Sequence, residues 1–206
     1  LGRQVQVTDA LNGVRSATYD AVGNLRVQRD ELGRETRFGY DALNRRISRV
    51  DADPDGSGGP LQSSITVWEY DLLGRRVAET DPLGKTARTE YDALGRTTAE
   101  VDREGGRTGY LYDAQGNLAR LTDPTNNITG YGYDALGRLI RVTDPLNAVR
   151  TQAYDAVGRI LEKTDALGRR TVYGWDVLDR NTTETWRDAS GAVVEQIVRE
   201  YDEAGQ

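Results

Sequence analysis

Three residue types are missing from this sequence of 206 residues: cysteine, histidine and methionine. Without cysteine the chain forms no disulfide, and without cysteine or histidine it has no thiolate or imidazole to bind zinc. The nucleophile–histidine arrangements of serine and cysteine hydrolases are excluded for the same reason. Carboxylates are therefore the main side chains left that could act in catalysis or bind a metal ion.

Long apolar runs and a net positive charge are also lacking. No stretch approaches the roughly 20 apolar residues that a membrane helix requires, and we see no signal peptide. The formal net charge is -6, whereas nucleic acids and anionic membranes are bound by basic surfaces. We therefore expect neither nucleic acid nor membrane as a partner.

The apolar content is low for a packed globule, at 37%, and 23 residues are glycine. Such a composition is compatible with disorder, but the 11 tyrosines and 3 tryptophans argue against it. A thin sheet with little central core fits the composition better.

A pair consisting of an aromatic residue and aspartate recurs through the chain. Successive aromatics lie 21, 30, 21, 21, 21, 21, 21 and 26 residues apart, so the period is 21 with two insertions. The pairs are Tyr19 and Asp20, Tyr40 and Asp41, Tyr70 and Asp71, Tyr91 and Asp92, Tyr112 and Asp113, Tyr133 and Asp134, Tyr154 and Asp155, Trp175 and Asp176, and Tyr201 and Asp202.

Each repeat contains two turn signals. The first begins at the motif aspartate and resembles Asp-Ala-Leu-Gly, as at residues 92–95 and 134–137; the second resembles Asp-Pro-Leu-Gly, as at residues 81–84. Aspartate first, proline second and glycine fourth is typical of a type I turn closed by a left-handed residue. The fourth residue is always Gly, Asn or Asp, the residues that best tolerate positive φ.

The spacing of these turns predicts the fold class. Turn aspartates alternate 10 and 11 residues apart, which leaves about six or seven residues per strand, close to the usual strand length. Turns of this type join antiparallel strands. We therefore predict an all-β fold of tandem 21-residue hairpin repeats: one array of about nine repeats over residues 1–206, with an insertion near 51–62.

The aromatics form two columns on one sheet face. Residues two apart on a strand share a face, and the positions two before the motif aromatics hold Phe38, Trp68, Tyr110, Tyr131 and Tyr173. Only Trp186 falls outside both columns. We interpret the columns as ladders that hold the sheet together; the alternative is that some of these rings stack on carbohydrate.

Arginine recurs directly after the first turn, at Arg45, Arg75, Arg96, Arg138, Arg159 and Arg180. These side chains are placed to pair with nearby aspartates. Since exposed ion pairs contribute little each, we assign them a structural role only.

The insertion offers one candidate metal site. Asp51, Asp53 and Asp55 alternate as in the first half of a calcium-binding loop. However, the ninth and twelfth positions are Gly59 and Gln62, so the bidentate acid is missing. A flexible acidic hairpin loop is the alternative, and otherwise we expect no cofactor.

We predict that the chain is not an enzyme. Every motif aspartate begins a turn, where its side chain is expected to cap backbone N–H groups. Ser57 lacks both a nucleophile elbow and a histidine, and no phosphate-binding loop is present.

The strings Tyr-Asp-Ala-Leu-Gly-Arg at 91–96 and 133–138, Tyr-Asp-Ala-Val-Gly-Arg at 154–159 and Asp-Pro-Leu-Gly at 81–84 resemble the Rhs, or YD-repeat, family. The resemblance covers essentially the whole chain. It implies a continuous curved antiparallel ribbon that is part of a hollow spiral shell. In bacterial Rhs and Tc-type toxins such a shell encloses a toxic C-terminal segment, and teneurins carry similar repeats.

The resemblance therefore implies a structural segment of a secreted, cell-surface or injected bacterial toxin shell. Its partners would be the rest of a longer polypeptide and the enclosed toxin. Both ends cut a repeat, and we see neither a self-cleavage site nor a toxin segment, so we expect a piece of a longer protein. The alternative is a module that binds carbohydrate or another cell surface.

Overall fold

In the computed structural model, residues 2–55 and 62–202 are described, and every regular element among them is a β-strand. The strands have three to seven residues. They are β1 (Gln6–Thr8), β2 (Val14–Tyr19), β3 (Leu25–Arg29), β4 (Glu35–Tyr40), β5 (Arg46–Val50), β6 (Ile65–Tyr70), β7 (Arg76–Thr80), β8 (Thr86–Tyr91), β9 (Thr97–Val101), β10 (Arg107–Tyr112), β11 (Leu118–Thr122), β12 (Ile128–Tyr133), β13 (Leu139–Thr143), β14 (Val149–Tyr154), β15 (Ile160–Thr164), β16 (Arg170–Trp175), β17 (Asn181–Arg187) and β18 (Val193–Val198).

The chain divides into two compact units, residues 1–107 and 108–206. In the first unit, each strand from β1 to β9 pairs antiparallel with the next strand in sequence. In the second, β10 to β18 do the same. The prediction of an all-β fold made of tandem hairpins is therefore confirmed.

The turns have the backbone that their sequence predicts. The fourth turn residue has positive φ at each described turn of both types, from 61° at Asn12 and Asn44 to 106° at Gly23. The non-glycine residues with positive φ are all Asn or Asp, at positions 12, 44, 126, 147 and 179. Their short side chains tolerate the left-handed region best after glycine, which explains why only these three residue types occupy the position.

A β-bulge follows each first turn that is described in full, and the sequence did not reveal it. In the β12–β13 hairpin, Gly132 faces Arg141 and Tyr133 faces Leu139, so Ile140 is the extra residue. The residues that bulge in other first-turn hairpins include Ile47, Val77 and Leu161. In the sequence, these positions are recognisable only because they are often apolar, and nothing in the sequence marks them as bulged. The bulge bends the strand that leaves the turn.

Neither unit has a large apolar core among its described residues. The buried hydrophobic residues are two alanines, Ala78 at 3% exposure and Ala99 at 0%. No larger side chain among the described residues is fully buried, and the third residue of most turns is an exposed leucine or valine, such as Leu94 and Leu136. Stability must therefore come from contacts between neighbouring strands and repeats. Among the described residues, no helix has the length and apolarity needed to cross a membrane.

Candidate functional site

Each motif aspartate organises its own turn, and Asp134 shows the arrangement. The N–H of Gly137 donates to the carbonyl of Asp134 at 3.0 Å, and the N–H of Asp134 donates to the carbonyl of Arg138 at 3.0 Å. The Oδ1 atom of Asp134 accepts hydrogen bonds from the N–H groups of Leu136 (2.9 Å) and Arg138 (3.0 Å). The carboxylate thus caps N–H groups inside the turn that strand pairing leaves free.

The same capping recurs at the first turn of the other repeats. In each, Oδ1 accepts from the backbone N–H groups two and four residues later. The aspartates concerned are Asp20, Asp41, Asp71, Asp92, Asp113, Asp155 and Asp176. The turn that begins at Asp202 extends beyond the described residues.

The second turn is capped in the same way in the repeats without the insertion at 51–62. Here too Oδ1 accepts the N–H groups two and four residues on. The aspartates are Asp9, Asp30, Asp81, Asp102, Asp123, Asp144, Asp165 and Asp188.

These hydrogen bonds favour the ionised carboxylates. The backbone N–H of Arg45 lowers the pKa of Asp41, and that of Arg180 lowers the pKa of Asp176, in both cases with help from the arginine side chain. At Asp123, the side chains of Asn127 and then Thr125 lower the pKa to about 2. A carboxylate held in this way is a poor general acid near neutral pH.

The arginine after the first turn links one repeat to the next. In Arg138, Nε donates to Oδ2 of Asp134 at 2.7 Å, while Nη1 donates to the carbonyl of Asp155, one repeat later, at 2.9 Å. The guanidinium carbon also lies 4.7 Å from the ring centroid of Tyr154. One planar group therefore makes an ion pair in its own turn, and a hydrogen bond and a cation–π contact with the next repeat.

Four other arginines make the same three contacts. Their hydrogen bonds to the next motif aspartate are 2.9 to 3.3 Å long, and their guanidinium carbons lie 4.5 to 5.8 Å from the next motif ring. They are Arg45, Arg75, Arg159 and Arg180. We call this contact, from an arginine to the next motif pair, the inter-repeat clamp.

The motif aromatic also donates a hydrogen bond to the preceding repeat, from its tyrosine hydroxyl or tryptophan Nε1. The hydroxyl of Tyr133 donates to the carbonyl of Leu118 at 3.1 Å. Trp175 replaces tyrosine but keeps the contact, since its Nε1 donates to the carbonyl of Ile160 at 2.8 Å. The same hydrogen bond is made by Tyr19, Tyr70, Tyr91 and Tyr201.

The structure thus brings the predicted motif residues together between repeats. The sequence predicts that the arginines pair with nearby aspartates. The structure shows that each pairs with the aspartate of its own turn, at Asp41, Asp71, Asp92, Asp134, Asp155 and Asp176. The sequence did not predict the inter-repeat clamp. The available signal was the constant offset of arginine from the next aromatic, 16 residues wherever no insertion intervenes.

The acidic residues of the insertion take part in local contacts. Asp51 forms an ion pair with Arg49 and accepts a hydrogen bond from Ser64 Oγ at 2.8 Å, and Asp53 accepts one from the N–H of Asp55 at 3.4 Å. Within residues 2–55 and 62–202, no group of three acidic side chains is placed to hold a metal ion. Gly59 and Ser57 lie outside the described residues, and the calcium hypothesis stays a prediction.

The model of the RHS repeat family matches five stretches of the chain: residues 19–57, 70–108, 91–127, 112–149 and 154–185. Together these stretches cover well over half of the 206 residues. No curated protein matches the chain.

Solved toxin structures share the fold. A chain in the crystal structure of TcdB2-TccC3-Cdc42 is 19% identical, with a TM-score of 0.62 over 98% of this chain. A chain of the Photorhabdus luminescens Tc holotoxin pore, with a substituted TccC3, is 19% identical, with a TM-score of 0.63 over 99% of this chain. A chain of TcdB2-TccC3 is 19% identical, with a TM-score of 0.61 over 93%. The chain spans only 11% of the length of each of these chains.

Proposed function

This chain belongs to the RHS repeat family, and on that premise we propose that it is a wall segment of a bacterial Rhs-type toxin shell. In this proposal the repeats of a longer protein enclose its C-terminal toxic segment. The fold shared with chains of TcdB2-TccC3 and of a Tc holotoxin pore supports the toxin context.

One observation carries the proposal: the polar groups of the repeat motif are used for contacts within and between repeats. The motif aspartate caps its turn, the arginine joins that turn to the next repeat, and the aromatic hydrogen-bonds back to the preceding strand. Because each repeat contacts its neighbours through the same groups, repeats can be added without a central core. Such a construction suits a wall.

The proposed role is mechanical and not catalytic. The motif carboxylates are engaged in capping, and their lowered pKa values keep them ionised. We propose that the toxic activity lies in another segment and that the wall isolates this segment from solvent and from the producing cell. The natural protein would act outside that cell, secreted, on its surface or injected into a target.

Limited proteolysis of the natural protein that carries this chain tests the proposal. We expect the toxic segment to survive protease while the repeats are folded, and to be degraded once acid or denaturant opens them. A matched sample with the C-terminal segment expressed alone should be degraded at once. Degradation of that segment at equal rates in both samples would contradict enclosure.

A further inference from the structure

The repeat pattern breaks on the aromatic face of the second unit, over β14 to β17. In five repeats, including those on either side in the sequence, threonine and an aromatic stand four and two residues before the motif aromatic, as at Thr129 and Tyr131. Before Tyr154 these positions hold Arg150 and Gln152. The Gln152 amide donates to the carbonyl of Leu139 at 2.6 Å and to the Tyr154 hydroxyl at 2.7 Å. A ring is therefore missing from the column at this position.

The one aromatic outside both columns stands on the same face as this gap. Strand register aligns Gln152 with Lys163, Lys163 with Thr171, and Thr171 with Trp186. Side chains aligned in this way share one face of the sheet. A cavity of about 740 Å³ lies here, and its lining includes Arg150, Gln152, Lys163 and Trp186. We call it the Trp186 cavity.

The walls of the Trp186 cavity are largely apolar and include Leu139, Val142 and Val194. Several cations line it without an acidic partner: in the described part of the chain, no ion pair joins Arg150 or Lys163, which share the face of Trp186, to a carboxylate. The ammonium of Lys163 instead lies 5.7 Å from the ring centroid of Tyr173.

The acidic groups that line the cavity leave this positive charge largely uncompensated. Asp165 pairs with Arg169, and Asp188 caps its turn through Ser190 and Ala192. Glu195, opposite Trp186 in the register, is exposed. In a chain of net charge -6, an apolar cavity that includes the unpaired cations Arg150 and Lys163 is complementary to an anionic partner.

We propose that the Trp186 cavity binds a polypeptide segment that carries apolar side chains next to carboxylates. The apolar residues of the segment would cover Leu139, Val142 and Trp186, and its carboxylates would pair with Arg150 and Lys163. The volume falls within the usual range of roughly 300–1,000 Å³ for ligand sites. The proposal holds whether or not the natural protein encloses a toxin.

The walls favour a polypeptide over other anions. An inorganic anion would leave the apolar walls uncovered. An acidic saccharide could stack on Trp186, but its hydroxyl groups would face Leu139, Val142 and Val194, whose side chains offer no hydrogen bonds, and burying unpaired polar groups is costly.

Fluorescence anisotropy with the full chain tests the proposal. The probe is a short labelled peptide of alternating leucine and aspartate. A leucine–lysine peptide tests whether binding requires negative charge, and a serine–aspartate peptide tests whether it requires apolar side chains. An oligogalacturonate tests whether the cavity prefers an acidic saccharide. We expect the leucine–aspartate peptide to bind at least about tenfold more tightly than each of the others, a difference of about 1.4 kcal/mol.

Charge reversal then assigns the binding to the cavity. The double variant Arg150→Glu, Lys163→Glu should bind the peptide at least about tenfold more weakly, since it turns two attractions into repulsions. Arg88→Glu is the matched control, because Arg88 is an exposed arginine in the first unit that lines no part of the cavity; its affinity should match that of the wild type. Thermal unfolding checks that all variants fold.

Any of the following results would overturn the proposal. The first is equal binding of the aspartate and lysine peptides. The second is unchanged binding by the folded double variant, or no binding of any peptide by the wild type. The third is tighter binding of the oligogalacturonate, which would make the cavity a saccharide site.

Discussion

At the scale of single residues, the first and fourth positions of each turn are constrained by the backbone of the turn itself. The fourth turn residue must adopt positive φ, and the choice among Gly, Asn and Asp follows from that single requirement. The aspartate at the first position is equally constrained, because its carboxylate is the acceptor that satisfies the turn's own N–H groups. Local chemistry of this kind is readable without knowing the fold.

Gly84 isolates the backbone contribution at this position. Its φ is 78°, and a Cβ added there would meet no atom within 4 Å. Gly84→Ala should therefore destabilise the chain through backbone strain alone, by about 1–2 kcal/mol. Gly84→Asn should cost clearly less, because Asn126 and Asn147 hold the equivalent position at φ 66° and 63°. Urea unfolding of the two variants makes the comparison, and equal losses would contradict the strain argument.

The lowered pKa values of the turn aspartates predict sensitivity to acid. A carboxyl group with a lower pKa in the folded state stabilises fully above its unfolded pKa and loses that contribution as pH falls through the folded pKa. For Asp123 the loss should occur between about 3.8 and about 2.

Thermal unfolding at a series of pH values measures this loss. The melting temperature should fall as the pH is lowered through that window, and Asp123→Asn should flatten part of the fall. A melting temperature that is constant down to pH 2 would contradict the link between capping and stability.

At the scale of elements, the sequence predicts the strands and the two aromatic columns but neither the bulge nor the clamp. The bulge depends on which residues face each other across a hairpin, and the apolar character of Ile140 or Val77 does not reveal this. The clamp depends on where consecutive turns lie in space. Arg138 and Asp155 are 17 residues apart in the chain, so their contact follows only once the strands are paired.

Arg138→Lys tests the clamp. Lysine keeps the charge but lacks the planar fork needed to contact Asp134, the carbonyl of Asp155 and the Tyr154 ring together. A loss of about 1 kcal/mol would lower the melting temperature by about 2–4 °C. Arg88→Lys is the control, and its melting temperature should not change. Equal values for both variants would show that the clamp contributes nothing measurable.

Tyr91 separates the two contacts of the motif aromatic. Its hydroxyl donates to the carbonyl of Arg76 at 3.1 Å, and its ring lies 4.5 Å from the guanidinium of Arg75. Tyr91→Phe should cost about 0.5–1.5 kcal/mol by losing the hydrogen bond, and Tyr91→Leu should cost more. Tyr91→Trp should be tolerated better than leucine, because Trp175 makes both contacts. Chemical denaturation ranks the three variants, and a leucine variant as stable as the tryptophan variant would contradict this role.

At the scale of the whole molecule, stability is spread over repeated contacts between neighbours. Ala78 and Ala99 are the buried hydrophobic residues of the described chain, so no central core joins distant repeats. In such arrays, stability is approximately a sum of repeat and neighbour contributions. The effects of clamp variants in well-separated repeats should accordingly add.

The sequence did not predict the Trp186 cavity either, because the cavity depends on which strands are paired. The sequence shows that Gln152 departs from the aromatic column and that Trp186 belongs to neither column. Only the strand register shows that both departures fall on the same face and border one cavity.

The measurement that tests the central claim most directly is electron cryomicroscopy of the natural protein that carries this chain. The account predicts that its RHS repeats form a wall joined by the arginine–aromatic clamps and that separate polypeptide density lies inside that wall. Repeats that instead pack against each other around a filled interior, with no enclosed polypeptide, would contradict it.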